Sequence, residues 1–252
     1  MRKIVLIGMG AGNPEYITMQ ALNALRRVDA LFITDKGREK EELMHLRKEI
    51  CARYLPDRTF RIVVISDPPR ERDPADYLQT VDSWHEQRAV IYEKLINEQL
   101  GENEVGAFLV WGDPSLYDSL IRVLGRVLIR GATAFDYEVI PGITSIQALA
   151  AQHRITLNQI GEPFQVTTGR QFAKGWPQGQ RDVVVMLDGE QAFNTVSDGE
   201  TEIYWGAYLG TPEQILLSGK LREVCATIEK TRAEARARKG WIMDTYLLRK
   251  PR

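Results

Sequence analysis

A short apolar segment that stops at a polar turn constrains this chain more than any other feature. Residues 107–111 read Ala-Phe-Leu-Val-Trp, the length and composition of a buried strand, and Gly112-Asp113-Pro114 follows before a helical pattern begins. In open α/β sheets, ligands bind beyond the carboxyl ends of strands. Gly112 has no Cβ to keep a ligand from the backbone, and Pro114 fixes the direction in which the chain leaves. The segment indicates either a ligand-binding turn or a plain connection from strand to helix.

The pattern that leads to this segment alternates strands with helices. The predicted elements, in chain order, are a strand at 3–7, a helix at 18–28, a strand at 30–34, a helix at 40–54, a strand at 61–65, a helix from Asp73-Pro74 to about 100, and the strand at 107–111. Asp73 is the predicted N-cap of the third helix, with Pro74 at its first position. This alternation predicts a parallel sheet with right-handed crossovers.

The second half of the chain has a different pattern. Its predicted elements are helices at 120–129, 145–152 and 221–239, and strands at 135–140, 164–168, 183–186, 202–208 and 241–248. Several of these strands have no long helix between them, which favours a mixed or antiparallel sheet. We therefore predict two α/β domains, an N-terminal domain over 1–115 with a parallel sheet and a C-terminal domain over 116–252 with a mixed sheet.

Composition limits the partners that such a protein would bind. The chain has 252 residues, 44% of them hydrophobic and 27% charged, and a formal net charge of −1. No overall field draws it to nucleic acid or to a membrane surface, and no apolar run approaches membrane length. We expect no signal peptide, since a strand pattern begins at Lys3. Cys51 and Cys225 lack metal-type spacing and suit a reducing, cytoplasmic location.

Glycines after the first strand have the spacing of a tight turn close to a ligand. Gly8, Gly10 and Gly12 partly match a dinucleotide fingerprint, but Asn13 stands where its third glycine belongs and Pro14 has no N–H for a phosphate. A tight turn is therefore favoured over a nicotinamide site. The three histidines are isolated from other metal ligands, so we expect no metal site and interpret them as packing or surface residues; they are His45, His85 and His153.

Four stretches, taken in order, resemble the tetrapyrrole methylase family. These are Leu6-Ile-Gly-Met-Gly-Ala-Gly-Asn-Pro14, Trp111-Gly-Asp-Pro-Ser-Leu-Tyr117, Pro141-Gly-Ile-Thr-Ser-Ile-Gln-Ala148 and Ala207-Tyr-Leu-Gly-Thr-Pro-Glu-Gln214. Ala11 replaces a proline that is usual in the first stretch. The resemblance covers essentially the whole chain.

The resemblance implies a fold, a cofactor and a reaction. Its fold is two α/β domains with S-adenosyl-L-methionine in the cleft between them, usually in a homodimer, and S-adenosyl-L-homocysteine is the product. Within the family, long segments at 109–119, 183–193 and 239–248 narrow the expected substrate to a corrin precursor with many carboxylates. The implied reaction methylates carbon 1 of precorrin-5 and releases an acetyl group as acetate. Methylation of another ring carbon or another tetrapyrrole, or a non-catalytic binding module, remains an alternative.

Site residues follow from the resemblance, position by position. The implied cofactor contacts are Ala11, Trp111, Gly112, Asp113, Leu116, Tyr117, Thr144, Ser145, Met186, Leu187, Tyr208 and Gly210. By pattern alone, an ordinary core residue is favoured for Met186. Thr144 is alternatively a helix N-cap, and this role is compatible with a cofactor contact. Asp35 resembles a family aspartate with a suggested acid–base role, although a loop aspartate that caps a turn fits its position as well.

Cations near the cleft would hold the carboxylates of the substrate. Arginine suits carboxylate geometry, so Arg170 is the first candidate, followed by Lys36 and Arg38. Arg170 lies in a glycine-containing segment at 169–179 that follows a predicted strand, where a plain surface loop is an equal alternative. Methyl transfer from a sulfonium demands alignment of the reacting atoms, so neither a nucleophile nor a metal is expected.

Overall fold

The computed structural model describes residues 1–35, 41–69, 71 and 76–251, with the side chains of 35 and 41–45 left out of the description. The chain divides into two compact units, Met1–Thr144 and Ser145–Arg252. The domain boundary expected after Ser115 falls inside the first unit, because the strand at Phe135–Ile140 pairs with the first strand of the chain.

The first unit alternates strands and helices, as its hydrophobic pattern predicts. Its elements are β1 (Arg2–Gly8), α1 (Met19–Leu25), β2 (Ala30–Asp35), α2 (Glu41–Tyr54), β3 (Arg61–Ser66), α3 (Tyr77–Gln99), β4 (Val105–Val110), α4 (Leu120–Arg130) and β5 (Phe135–Ile140). α3 begins with Asp76 as N-cap, whose carboxylate accepts a hydrogen bond from the Gln79 amide at 3.0 Å. The N-cap predicted at Asp73 and Pro74 lies outside the described residues.

The five strands of the first unit form a parallel sheet in the order β3-β2-β4-β1-β5. Side chains alternate between its two faces, and each face carries its own apolar cluster. Ile4, Leu6 and Phe108 pack with α3 and α4, whereas Ile7 and Leu109 pack with α1 and α2. Burial on both faces explains why these strands are almost continuously apolar.

The second unit contains the predicted mixed sheet. Its elements are α5 (Ser145–His153), β6 (Phe164–Thr168), α6 (Gly169–Phe172), β7 (Asp182–Met186), β8 (Glu202–Ala207), β9 (Ile215–Lys220), α7 (Leu221–Lys239) and β10 (Asp244–Arg249). The strand order is β6-β7-β10-β8-β9; β6 and β7 are parallel, and the other pairs are antiparallel. The predicted fold class, with one parallel and one mixed sheet, is confirmed.

Two features of the second unit were not predicted. β9 was missed because Thr211-Pro212-Glu213 reads as a turn into the last helix, whereas the chain forms an edge strand with β8 first. The segment expected as a loop from 169 begins with the short helix α6, capped by the Thr168 side chain. In the described part of the chain, no helix is both long enough and apolar enough to cross a bilayer.

Candidate functional site

The carboxyl edge of the first sheet has a topological switch point between β1 and β4. These neighbouring strands run in parallel, but β1 connects through α1 to β2 and β4 connects through α4 to β5, in opposite directions along the sheet. α1 packs on one face and α4 on the other, so the two connecting loops diverge. Crevices of this kind are where open α/β sheets bind ligands.

Backbone from three strand ends meets at this switch point. Gly10 and Gly112 form a two-residue bridge, in which the Gly112 amide donates to the Gly10 carbonyl at 2.9 Å. A Cβ on Gly8 would lie 2.8 Å from the Gly112 carbonyl oxygen and 2.5 Å from the Gly142 nitrogen. A Cβ on Gly142 would overlap that same carbonyl oxygen. Glycine is therefore required at both positions, and the tight turn predicted for the first loop is present.

Asp113 is the polar centre of this arrangement. One of its carboxylate oxygens accepts from the Ser115 amide at 2.7 Å and from the Ser115 hydroxyl, and the other accepts from the Gly142 amide at 2.8 Å. Burial, the largest single influence, favours the neutral acid, but these hydrogen bonds outweigh it together and lower the pKa of Asp113. The carboxylate thus ties the loop after β4 to the loop after β5.

The remaining predicted contacts of the first unit lie in the same loops. Ala11 is buried in the loop after β1, and Leu116 donates its amide to the Asp113 carbonyl at 3.2 Å. Thr144 is buried, with its Cα 3.7 Å from the place that a Cβ on Gly112 would occupy. Tyr117 is 45% exposed and has a left-handed φ of 52°. A non-glycine residue in that region stores strain, and such strain is common in ligand-binding loops.

The predicted contacts of the second unit share one edge of its sheet. Met186 ends β7 and pairs with Thr245 near the start of β10, while Ala207 ends β8 and pairs with Asp244 on the other side of β10. Leu187, Tyr208 and Gly210 follow these strand ends directly, and Ser145 is the first residue of α5. Arg170 lies on α6, immediately after β6, whose end pairs with the end of β7. The edge therefore brings Arg170, Met186 at the end of β7, and the three contacts after β7 and β8 to one side of the sheet.

The turn after β8 is fixed by a buried aromatic side chain. Tyr208 is 2% exposed, and its hydroxyl donates to the Trp241 carbonyl at 2.7 Å, beyond the end of α7. Its φ of 50° is left-handed, and its own carbonyl accepts from the Thr211 amide and hydroxyl. Gly210 donates its amide to the Gln214 side chain at 2.9 Å. The hydroxyl and the backbone of Tyr208 thus both hold the turn, since its amide also donates to the Met243 carbonyl at 2.9 Å.

Other predicted residues lie outside the described part of the chain or have structural surroundings. Lys36 and Arg38 lie outside the described residues, and Asp35 is placed only by its backbone, at the carboxyl end of β2. A His85 ring nitrogen lies 3.0 Å from the Ser119 hydroxyl, and one of His153 lies 3.0 Å from the Trp205 carbonyl. Among the described residues, no group of histidine, cysteine and carboxylate side chains is arranged to hold a metal.

Four residues at the first sheet edge were not predicted as site residues, although Gly8 was predicted to lie in a tight turn. Gly8, Gly142 and Ser115 form the junction around Asp113. The sequence contained an indication of both glycines, because each closely follows an apolar strand. Arg47 on α2 donates its Nε–H to the Leu109 carbonyl at 3.3 Å, beside the end of β4. It lies next to the inward-facing Leu46, and helical spacing alone does not distinguish it from a solvated arginine.

Comparison with known proteins identifies the class to which this fold and site belong. The family model described as Tetrapyrrole (Corrin/Porphyrin) Methylases matches residues 3–225. The chain belongs to this family, and the resemblance carried by the four sequence stretches is confirmed. It is therefore an enzyme of the methyltransferase class.

Two relatives are similar over nearly the whole chain. A precorrin-6A synthase [deacetylating] from Sinorhizobium sp is 56% identical over 250 residues, which cover 99% of this chain and 96% of that protein. The crystal structure of a cobalamin synthesis related protein (CobF) from Corynebacterium diphtheriae is 39% identical, covers 99% of this chain and 98% of its own, and superposes with a TM-score of 0.85.

A more distant structure shows the fold alone. The uroporphyrin-III C-methyl transferase from Thermus thermophilus, solved in complex with S-adenyl homocysteine, is 16% identical. It covers 98% of this chain and 97% of its own, with a TM-score of 0.57.

Proposed function

We propose that this chain is a precorrin-6A synthase, an S-adenosyl-L-methionine-dependent C-methyltransferase of cobalamin biosynthesis. It methylates carbon 1 of precorrin-5 and releases acetate to give precorrin-6A. The observation that carries the proposal is the 56% identity to the Sinorhizobium enzyme of that name across 99% of this chain. The similarity of the CobF structure over the same length supports it.

The first sheet edge fits the proposed cofactor. The junction of Gly8, Gly112 and Gly142 leaves backbone unshielded by Cβ atoms at the switch point, which suits close approach of the amino acid part of the cofactor. When bound, the sulfonium group of S-adenosyl-L-methionine supplies an electrophilic methyl group. Ala11, Leu116, Tyr117 and Thr144 are the proposed contacts of this edge, and Ser145, Met186, Leu187 and Gly210 those of the second unit.

The task of these residues is positioning. The bound cofactor would supply the methyl group for direct transfer to the ring carbon, and the protein would donate no electrons. Holding the reactants in line at near-contact distance can contribute about 7–11 kcal/mol to such a step. The carboxylate of Asp113 fixes the loops after β4 and β5 by hydrogen bonds to backbone, so it orients the contacts without reacting.

Release of acetate needs a water molecule that attacks the acetyl carbonyl, and a group that positions or deprotonates this water. We assign that role to Asp35, whose backbone lies at the same sheet edge as Asp113. Arg170, Lys36 and Arg38 are the proposed cations for the substrate carboxylates. An Asp35→Asn variant should keep its affinity for S-adenosyl-L-homocysteine while the rate of acetate release falls. An unchanged rate would remove Asp35 from the mechanism.

We further propose that the enzyme is a cytoplasmic homodimer, as the family resemblance implies. Light scattering of the purified protein tests this assembly directly. A mass of one chain across the micromolar concentration range would contradict it.

The activity is tested by binding and turnover on one preparation. Calorimetry with S-adenosyl-L-homocysteine should show binding, and incubation with precorrin-5 and labelled S-adenosyl-L-methionine should give equal amounts of methylated product and acetate. Methylation without acetate would assign the chain to another ring carbon. Binding without turnover of any corrin precursor would favour a non-catalytic module.

A further inference from the structure

A buried hydrogen-bond donor at the end of β4 has no partner among the described residues. Trp111 directly follows this strand, and its indole ring packs against the apolar cluster beneath α1 and α2. Its Nε1 atom is buried, and no acceptor lies within hydrogen-bonding distance in the part of the chain that the structure describes. A buried N–H without a partner destabilises a protein, so its retention calls for an explanation. The surrounding residues favour one explanation, that a bound ligand supplies the hydrogen-bond acceptor.

A guanidinium group lies beside the same strand end. Arg47 uses its Nε–H on the Leu109 carbonyl, and no carboxylate among the described side chains forms an ion pair with it. Burial lowers the pKa of Arg47, although the Asp118 carboxylate at longer range partly opposes this shift. Asp118 is itself engaged, since it accepts from the Leu120 amide at 2.7 Å. Arginine stays charged under these conditions, so its remaining N–H groups need an anion or water.

The strand brings these two groups to one side of the sheet. Leu109 and Trp111 are alternate residues, so they share the face covered by α1 and α2, about 7 Å apart along the chain. The carbonyl that Arg47 contacts is thus two residues before the unpartnered indole. Both groups donate hydrogen bonds and neither accepts one, which selects an anionic acceptor such as a carboxylate.

We propose that Arg47 and Trp111 form a carboxylate-binding pair at the end of β4. This inference rests on the proposed function, which supplies two sources of carboxylate: the amino acid part of S-adenosyl-L-methionine and the acidic side chains of the tetrapyrrole. In either case Arg47 provides the charge and Trp111 a single directed N–H. The pair adds Arg47 as a positioning residue, and it gives the indole N–H of Trp111, already an expected cofactor contact, a specific role.

Binding assays with matched variants test the pair. Arg47→Gln removes the charge, and Trp111→Phe keeps an aromatic ring but removes the N–H. The controls are Arg53→Gln, on the same helix but in an exposed ion pair with Glu15, and Trp176→Phe, whose indole already donates to the Gln180 carbonyl at 2.7 Å. The probes are S-adenosyl-L-homocysteine, 5′-methylthioadenosine, which lacks the amino acid part, and uroporphyrin III, a stable polycarboxylate.

The expected pattern distinguishes the two sources. Arg47→Gln should lower the affinity for one of the carboxylate ligands about 10-fold to 100-fold, and Trp111→Phe should lower the affinity for the same ligand about 10-fold. If the cofactor carboxylate is bound, S-adenosyl-L-homocysteine loses affinity and 5′-methylthioadenosine does not. If the substrate carboxylate is bound, only uroporphyrin III loses affinity. Both controls should bind all three probes as the wild type does.

Thermal unfolding without ligand supplies a second readout. Trp111→Phe should not lower the melting temperature, because it removes an unsatisfied donor, whereas Trp176→Phe should lower it. Variants that bind every probe as tightly as the wild type would overturn the pair while leaving the proposed function standing. A wild type that binds neither S-adenosyl-L-homocysteine nor uroporphyrin III would instead count against the proposed function.

Discussion

The two sheet edges reach sharp turns by different means. At the first edge, glycine supplies the conformation and the close contact: Gly112 has a φ of 66°, and neither Gly8 nor Gly142 has room for a Cβ. At the second edge, side-chain-bearing residues take left-handed backbone, with φ values of 52° at Leu187 and 50° at Tyr208. Tyr208 is held there by its buried ring and hydroxyl, whereas Leu187 is 65% exposed.

At the strand ends themselves, this difference shows where strain is stored; Tyr117, five residues beyond Gly112 in the first loop, is left-handed as well. The glycines of the first edge adopt their turns at no steric cost, so the junction is rigid because backbone is packed against backbone. At the second edge a left-handed non-glycine residue costs about 1–2 kcal/mol, which the surrounding structure must offset. The hydrogen bond from the buried Tyr208 to Trp241 offsets this cost at Tyr208. Leu187 is exposed and has no compensating interaction of comparable burial among the described residues. We therefore expect an exchange between glycine and a larger residue to change stability in opposite directions at the two edges.

The largest effect is expected at Gly142. In Gly142→Ala the new Cβ overlaps the Gly112 carbonyl oxygen and lies 2.8 Å from the Gly8 backbone, and none of these atoms belongs to a flexible side chain. We expect a loss of about 3 kcal/mol or more in the free energy of unfolding, measured with urea. The control is Gly125→Ala in α4, which has open space and should gain about 1 kcal/mol. Equal stability of the two variants would show that the glycine junction is not tightly packed.

Asp113→Asn should come next. An amide nitrogen would face one of the donors that the carboxylate now accepts from, with an expected loss of about 2–3 kcal/mol at pH 7 and weaker binding of S-adenosyl-L-homocysteine. The folded pKa of Asp113 is lowered, so its contribution is complete above the unfolded pKa of about 3.9 and disappears as the pH falls through the folded value. Urea unfolding of both proteins from pH 7 to pH 3 measures this. A stability difference that stays constant down to pH 3 would contradict the role of the charge.

The same contrast explains how far the sequence could be interpreted. The turn at Gly112-Asp113-Pro114 was identifiable because its backbone geometry depends on residue types with unusual conformational preferences. The turn at Tyr208 depends on tertiary contacts, and Leu187 turns without a glycine, so no local pattern marks either position, and only the family resemblance indicated them. Arg47 was missed because its place at this edge is defined by its contact with the Leu109 carbonyl, which is 62 residues away in sequence. β9 was missed because a Thr-Pro turn precedes an edge strand of mixed polarity.

Two opposite substitutions test the comparison between the two edges directly: one replaces a glycine at the first edge, and the other introduces a glycine at the second. Gly112→Ala forces a Cβ into left-handed backbone and should cost about 1–2 kcal/mol, whereas Leu187→Gly should gain about 1 kcal/mol by relieving strain. If the strain at Leu187 serves binding, Leu187→Gly should also weaken S-adenosyl-L-homocysteine despite its higher stability. Urea unfolding and calorimetry measure the two quantities. A loss of stability in Leu187→Gly would mean that its side chain, and not its backbone, matters at this edge.

The smallest effect is expected at Tyr208. This substitution distinguishes a hydroxyl that anchors the turn from a hydroxyl that contacts the ligand. Tyr208→Phe keeps the ring, which packs edge-on against Trp241 with centroids 5.4 Å apart, but leaves the Trp241 carbonyl without its donor. We expect a loss of about 1 kcal/mol in the free energy of unfolding. Affinity for S-adenosyl-L-homocysteine should not change, because the hydroxyl points toward the end of α7 and only backbone lies at the sheet edge. A drop in affinity at unchanged stability would instead make the Tyr208 hydroxyl a ligand contact, and the second edge would then bind through side chains.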